Sequence, residues 1–391
     1  MSNQDSVETT KKSTSKLKFN LNMQSYTLII ALILIAVIFG FLTGGEFLSS
    51  RNLSNLFTQM TIISVLAIGM TFIIVSGHID LSVGSLAGLT GAVAAILHVW
   101  FGWDTVWVVL SAIAVGSILG LWQGWWVAYR AVPAFIVTLG GMLIFRGILI
   151  GISKGQTIAP LDPSFKLIAN SYLPFSLGYI LAFTGVALLF VFTWRNRHKR
   201  LQMGLELTAP VIDYGKLVIY SIAIIVLTYL LSRYYGIPIP LLIVIALAGL
   251  FIFISYKTSF GRYIYAIGGN PEAAALSGIN IKRNTLAVFV TMGALAGVAG
   301  VILTSRLNAA TVSAGDMYEL DAIAACVIGG TSLMGGRGNI VGAVIGALIM
   351  ASIDNGMSMM NIQTFWQYIV KGLILIVAVW IDIANKPQTA I

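Results

Sequence analysis

The sequence has few side chains equipped for chemistry, and several of them sit at unusual places. In IVSGHIDLSVGS, Ile74 to Ser85, His78 and Asp80 lie two residues apart and are bracketed by Gly77 and Gly84. The flanking runs are apolar enough for a membrane interior. A histidine–aspartate pair at that depth could relay protons, but a relay needs a second embedded acid, and neither residue has an obvious one. Asp80 is better placed as an N-cap, accepting backbone N–H groups at the positive end of the next helix. The broken backbone could also line a polar pathway, because unpaired peptide groups at membrane depth survive only beside protein or water. Two more charges, Arg146 and Lys371, fall inside apolar runs. Pairing is the favoured reading for both, Arg146 with carbonyls near a span end and Lys371 with Asp354 or a helix C-terminus. Lining of a pathway and snorkelling to the interface are the alternatives. No nucleophile–base spacing, no metal-ligand cluster and no G-x-x-x-x-G-K-[ST] run occurs in the sequence. The chain therefore reads as no enzyme, with no metal, no cofactor and no ATP bound by itself.

The elements that position these residues follow from composition. Of 391 residues, 58% are apolar and only 9% charged, which defines a polytopic membrane protein. The expected fold is all-α, a transmembrane helical bundle of about ten spans at 26–43, 60–76, 82–99, 105–129, 134–152, 175–194, 216–232, 239–256, 285–305 and 363–383. Two shorter runs within 320–354 are broken by GGTSLMGGRGN, Gly329 to Asn339, and look too short for full spans. Whether that pair is re-entrant or crosses is left open. The polar break and glycines nominate Gly329, Gly330, Thr331, Ser332, Gly335 and Gly336, with Asp80, Ser82 and Gly84, as pathway or gate residues. DLSVGSLAGLTGAVAA (from Asp80) and GNIVGAVIGALIMASI (from Gly338) echo one another weakly.

With the N-terminus inside, fifteen lysines and arginines fall on the cytoplasmic side and six outside, so the surplus of +9 orients the chain and no nucleic-acid partner is implied. Both termini are expected in the cytoplasm. The tails are 1–25 and 384–391, the membrane domain is 26–383, and its longest cytoplasmic loop is 257–284. The one cysteine, Cys326, excludes an intrachain disulfide.

That loop carries GRYIYAIGGNPEAAALSGINIKRN, from Gly261 to Asn284. Gly268 and Gly269 break the preceding segment, Asn270 caps, and Pro271 suits the first helical position. Glu272 adds charge to the first turn and Gly278 terminates, giving a two-turn helix across the cytoplasmic face. A helix that short needs something to dock against.

At this point the chain resembles a known family. GRYIYAIGGNPEAAALSGI is similar to the cytoplasmic loop of permease subunits in monosaccharide ABC importers, the ribose, galactose and xylose group. GHIDLSVGSLAGL, ELDAIAACVIGGTSLMGGRG and YIVKGLILIVAVW match the same pattern in the same order, across nearly the whole chain after residue 25. WQGWWVAYRAVPAFIVTLGGMLIFRGILIGI and SIDNGMSMM look most like the D-xylose branch. The resemblance implies import of a monosaccharide across the bacterial inner membrane by alternating access, with ATP on a separate ATPase subunit. It implies a homodimer with its pathway on the twofold axis, embedded in lipid, with a periplasmic sugar-binding protein outside. It also implies that the ATPase docks at Gly261, Gly268, Gly269, Asn270, Glu272, Ala273, Ala274, Leu276, Ser277, Gly278 and Ile279. Glu319 and Asp321, at the outer start of the broken pair, would meet the binding protein or cap their helix. Two positions depart from the pattern: His78, where a small or polar residue is usual, and Ala275, where an arginine often stands. The rival reading is an ion-coupled secondary sugar transporter, for which only Asp80 and Asp354 are available.

Overall fold

A computed structural model describes residues 23–205 and 210–384; the expected tails lie almost wholly outside the described residues. The described residues fold as a bundle of fifteen α-helices. They are α1 (Met23–Leu42), α2 (Ser50–Val75), α3 (Val83–Ala95), α4 (Thr105–Arg130), α5 (Ala134–Ser153), α6 (Pro163–Asn170), α7 (Phe175–Gln202) and α8 (Pro210–Ser232). There follow α9 (Ile239–Lys257), α10 (Ser259–Gly269), α11 (Pro271–Leu276), α12 (Ile281–Leu307), α13 (Tyr318–Ile328), α14 (Ile340–Met359) and α15 (Thr364–Ala384). A π-helical turn, Ile96–Trp100, prolongs α3, and Tyr172–Leu173 pairs with Ile237–Pro238 in a two-stranded ladder.

Ten of these segments are long and apolar enough to cross a membrane. The set differs from expectation at two places: the expected first span, 26–43, falls outside it, since the apolar part of α1 is only Thr27–Leu42, and α14 enters it. α14 is an unbroken helix of 20 residues, about 30 Å long, so the second arm of the 320–354 pair is not too short to span. Its partner α13 has 11 residues and reaches only about 16 Å. α2 begins ten residues earlier than its apolar run, because Ser49 accepts the N–H of Asn52 at 3.3 Å and starts the helix in a polar stretch.

The bundle is organised around α2. Its apolar stretch is 94% buried, against 0% for α15, so α2 is the axis and α15 a peripheral helix. Between apolar helices in lipid there is little hydrophobic gain, and close approach of backbones takes over. α4 and α12 meet in this way. A Cβ at Gly293 would stand 2.1 Å from Gly116 O, and one at Gly116 would stand 2.2 Å from Gly293 O. α3 uses Gly88 and Gly91 against Ala314 and Gly300, and α14 uses Gly342 and Gly346 against Gly329 and Ala325. Gly293→Leu is therefore expected to wedge α4 from α12 at a cost of about 3 kcal/mol, the upper range for overpacking. Fluorescence-detected gel filtration after a heating series would read it. A variant melting with the wild type would show that the two helices are not tightly apposed.

Candidate functional site

The first break in the bundle follows Val75. Ser76 ends α2, Gly77 takes φ +84°, and His78 N–H returns to Ile73 O at 3.0 Å. Asp80 is buried, but it does not cap α3 as expected. Its Oδ1 accepts the backbone N–H of Ser82 at 2.8 Å and the Ser82 hydroxyl at 2.7 Å, a local turn that closes before the helix begins. Ser82 holds the N-cap position, and its Oγ accepts Gln123 Nε2 of α4 at 2.8 Å. Thr138 of α5 donates to Ile79 O at 3.3 Å. The break is thus fastened to two neighbouring helices, and His78 turns its ring toward Phe289 of α12 at 6.0 Å.

The second break is the elbow between α13 and α14. Gly330, Gly335 and Gly336 have φ of +90°, +84° and +71°, a backbone available to few other residues. Thr331 is fully buried, and Ser332 N–H closes the elbow onto Arg337 O at 3.0 Å. Both breaks converge, because Gly336 N–H donates to Val75 O at 2.9 Å. α10 completes the junction. Tyr265 Oη donates to Gly338 O at 3.0 Å, and Gly268 lies so close that a Cβ there would stand 1.6 Å from Val75 O.

α11 projects from this junction. The Asn270 side chain accepts Ala273 N–H at 3.0 Å, Pro271 opens the helix, and Gly278 takes φ +81° just past its end, as expected from the sequence. The helix has six residues, somewhat under two turns. Ala274 is buried against the bundle, while Glu272, Ala273, Ser277 and Gly278 are exposed and Ile279 is half-buried. Leu276 is 91% exposed, an apolar side chain held outward. Gly261 lies in the first turn of α10, where a Cβ would meet Ile254 O of α9 at 2.2 Å.

The intramembrane charges are paired. Arg146 Nη1 donates to Val312 O at 2.7 Å and Ala314 O at 3.1 Å, with Asp316 Oδ1 at 3.7 Å from Nη2. Lys371 Nζ of α15 stands 2.8 Å from Asp354 Oδ2 of α14 and 2.9 Å from Asp321 Oδ2 of α13. The Asp354 contact is the one expected from the sequence; Asp321 is new. Asp321 and Glu319 are both buried, so neither offers an outward surface to a docking protein, contrary to expectation. Asp321 heads the apolar run AIAACVI, and an acid in such a run is itself a signal for a buried cation.

The structure is thus a membrane bundle whose two broken helices meet beneath one short exposed helix. Among the described residues, no group of three His, Cys, Asp or Glu could hold a metal ion. This class is that of multi-pass membrane carriers. The chain belongs to the family described as branched-chain amino acid transport system / permease component, which matches residues 52–379. It is similar to the xylose transport system permease protein XylH of Escherichia coli (strain K12), with 52% identity over 370 residues, 95% of this chain and 94% of the relative. The XylH protein of Haemophilus influenzae (strain ATCC 51907 / DSM 11121 / KW20 / Rd) is likewise 52% identical over 375 residues, 95% and 99% of the two chains. The ribose import permease protein RbsC of Escherichia coli (strain K12) is 35% identical over 368 residues, 94% and 95% of the two chains. No solved structure matches the chain.

Proposed function

We propose that this chain is the permease subunit of an ATP-binding-cassette importer for D-xylose in the bacterial inner membrane. The observation that carries the reading is the 52% identity to xylose permeases along 95% of this chain. It works as a homodimer, with a separate ATPase that binds the ATP and a periplasmic binding protein that delivers the sugar. A neutral sugar is handled by hydrogen bonds, so the pathway needs no fixed charge. The exposed faces of α15 and α1 suit lipid or the second copy.

Coupling runs through α11. The ATPase seats on Glu272 to Ile279, and its closure pulls α10 with it. α10 touches both Val75 and the α13–α14 elbow, so a displacement there moves the central helix and the elbow together. α2 then carries the motion along its 26 residues, about 39 Å, to the far side of the bundle.

Uptake of D-xylose by proteoliposomes holding the permease, its ATPase and its binding protein tests the reading. Uptake should require ATP and both partners. Leu276→Asp should lower the rate about tenfold, a loss of about 1.4 kcal/mol at the docking face. Its melting temperature should not change, because the side chain is solvent-exposed. Uptake by the chain alone, abolished by a proton ionophore and by Asp80→Asn, would establish the ion-coupled carrier instead.

A further inference from the structure

A cavity of about 540 Å³ lies at the end of the bundle remote from α11. α2 and α12 define the two ends. Val75 and Ile281 lie at the ends of these helices nearest α10 and α11, whereas Ser49, Arg51, Asn52, Asn55, Arg306 and Leu307 line the cavity. Its wall brings together residues far apart in sequence: Asn52 and Asn55 of α2, Asn170 of α6, Tyr172, Tyr234 and Arg306.

The polar groups are held in place by bonds of their own. Asn52 Nδ2 donates to Phe47 O at 2.9 Å and to Asn355 Oδ1 at 2.8 Å. Asn170 Nδ2 donates to Ser305 O at 3.0 Å, and Arg306 Nη2 approaches Asn55 Oδ1 at 3.5 Å. The Tyr172 and Tyr234 rings stand at 87° with centroids 6.1 Å apart, so one offers an edge beside the other's face. Such a wall has fixed amide groups, flat rings, and both signs of charge, with Arg51 and Arg306 against Glu46. An apolar ligand would leave the Asn52 and Asn170 amide oxygens and these charges without water or partner. A neutral polyhydroxylated molecule satisfies them, with hydroxyls on the amides and C–H faces on the rings. The volume lies in the range of small-molecule sites, about 300–1,000 Å³, and admits a monosaccharide with water around it.

We propose that this cavity is a low-affinity sugar site within each copy of the chain, which takes the monosaccharide at the receiving end before it enters the shared pathway. The assignment of that end rests on the importer reading.

Cys326 is the only cysteine and is buried, so one introduced thiol can be labelled selectively. Asn55→Cys in nanodiscs is treated with a water-soluble methanethiosulfonate, with and without D-xylose at about 100 mM. Modification should slow about threefold, the factor 1 + [L]/Kd for a site of tens of millimolar. Glycine betaine at equal osmolality should have no effect, and Ser164→Cys, exposed and outside the cavity lining, should not be protected. Adding Tyr234→Ala should abolish protection while the thiol stays reactive. If Asn55→Cys misfolds, Asn170→Cys reads the same cavity. Equal rates with and without D-xylose, or protection that survives Tyr234→Ala, would overturn the proposal. Uptake by the wild type separates the two readings. No protection with ATP-driven uptake intact removes the site alone; protection with ATP-independent uptake removes the importer alone.

Discussion

Gly268→Ala is expected to abolish ATP-driven uptake while leaving the helices on either side intact. The added methyl would lie 1.6 Å from Val75 O and 2.7 Å from Gly336 N, and both are backbone atoms with no side-chain freedom to move away. These two atoms are also bonded to each other, at 2.9 Å. The methyl must therefore either part α10 from α2 or break the link between α2 and the elbow. Either change costs about 1–3 kcal/mol by overpacking and removes the contact through which α11 acts. Initial D-xylose uptake in proteoliposomes should fall more than tenfold, which corresponds to at least about 1.4 kcal/mol of lost coupling. ATP hydrolysis should persist, uncoupled from transport. Gly269→Ala is the matched control, since a Cβ there meets nothing within 4 Å. Wild-type uptake by Gly268→Ala would show that the junction does not transmit the motor's movement.

Lys371→Met is expected to be the most destabilising change in the outer half of the bundle. Lys371 joins three helices by pairing with Asp321, which is fully buried, and with Asp354, which is 8% exposed. Lys371 takes the Oδ2 of each acid, and Asp321 Oδ1 and Asp354 Oδ1 have no hydrogen-bond partner among the described residues. Without the lysine, two carboxylates face each other at membrane depth with no cation between them. Removing one member of a buried ionic group costs about 3–5 kcal/mol. Replacing all of them by apolar residues of similar size is often close to neutral. The melting temperature of the purified protein should thus fall sharply in Lys371→Met. It should fall less in Asp354→Asn, where Lys371 keeps Asp321. It should recover when Lys371→Met is combined with Asp321→Leu and Asp354→Leu. If Lys371→Met melts with the wild type, the three side chains are solvated and do not hold α15 in place.

What could be read without the fold was local. Asn270, Pro271 and Gly278 define the ends of α11 through bonds to residues within four positions, and the structure reproduces them. Arg146 was legible because an arginine in an apolar run must find carbonyls or an acid. Lys371 was half legible, since the need for a partner is evident but only one of its two acids was identified. Asp80 shows the limit within a short stretch. An aspartate before a helix favours a cap, yet a turn onto Ser82 competes for the same oxygen, and Gln123 of α4 takes up Ser82 from outside.

By itself, the sequence determined that this is a helical membrane protein, where nearly all its spans lie, and that one short helix is presented beyond them. Those properties depend on apolar length, charge placement and capping, which act between near neighbours. Only the tertiary structure decided that α2 is the buried axis, that α14 is a full-length helix, and that Asp321 belongs with Lys371. It alone brought Val75, Gly268 and Gly336 to one point and gathered the asparagines and tyrosines of the distant cavity. Those contacts join residues tens to hundreds of positions apart, and their geometry comes from how closely glycine-lined helices approach, which no local pattern encodes.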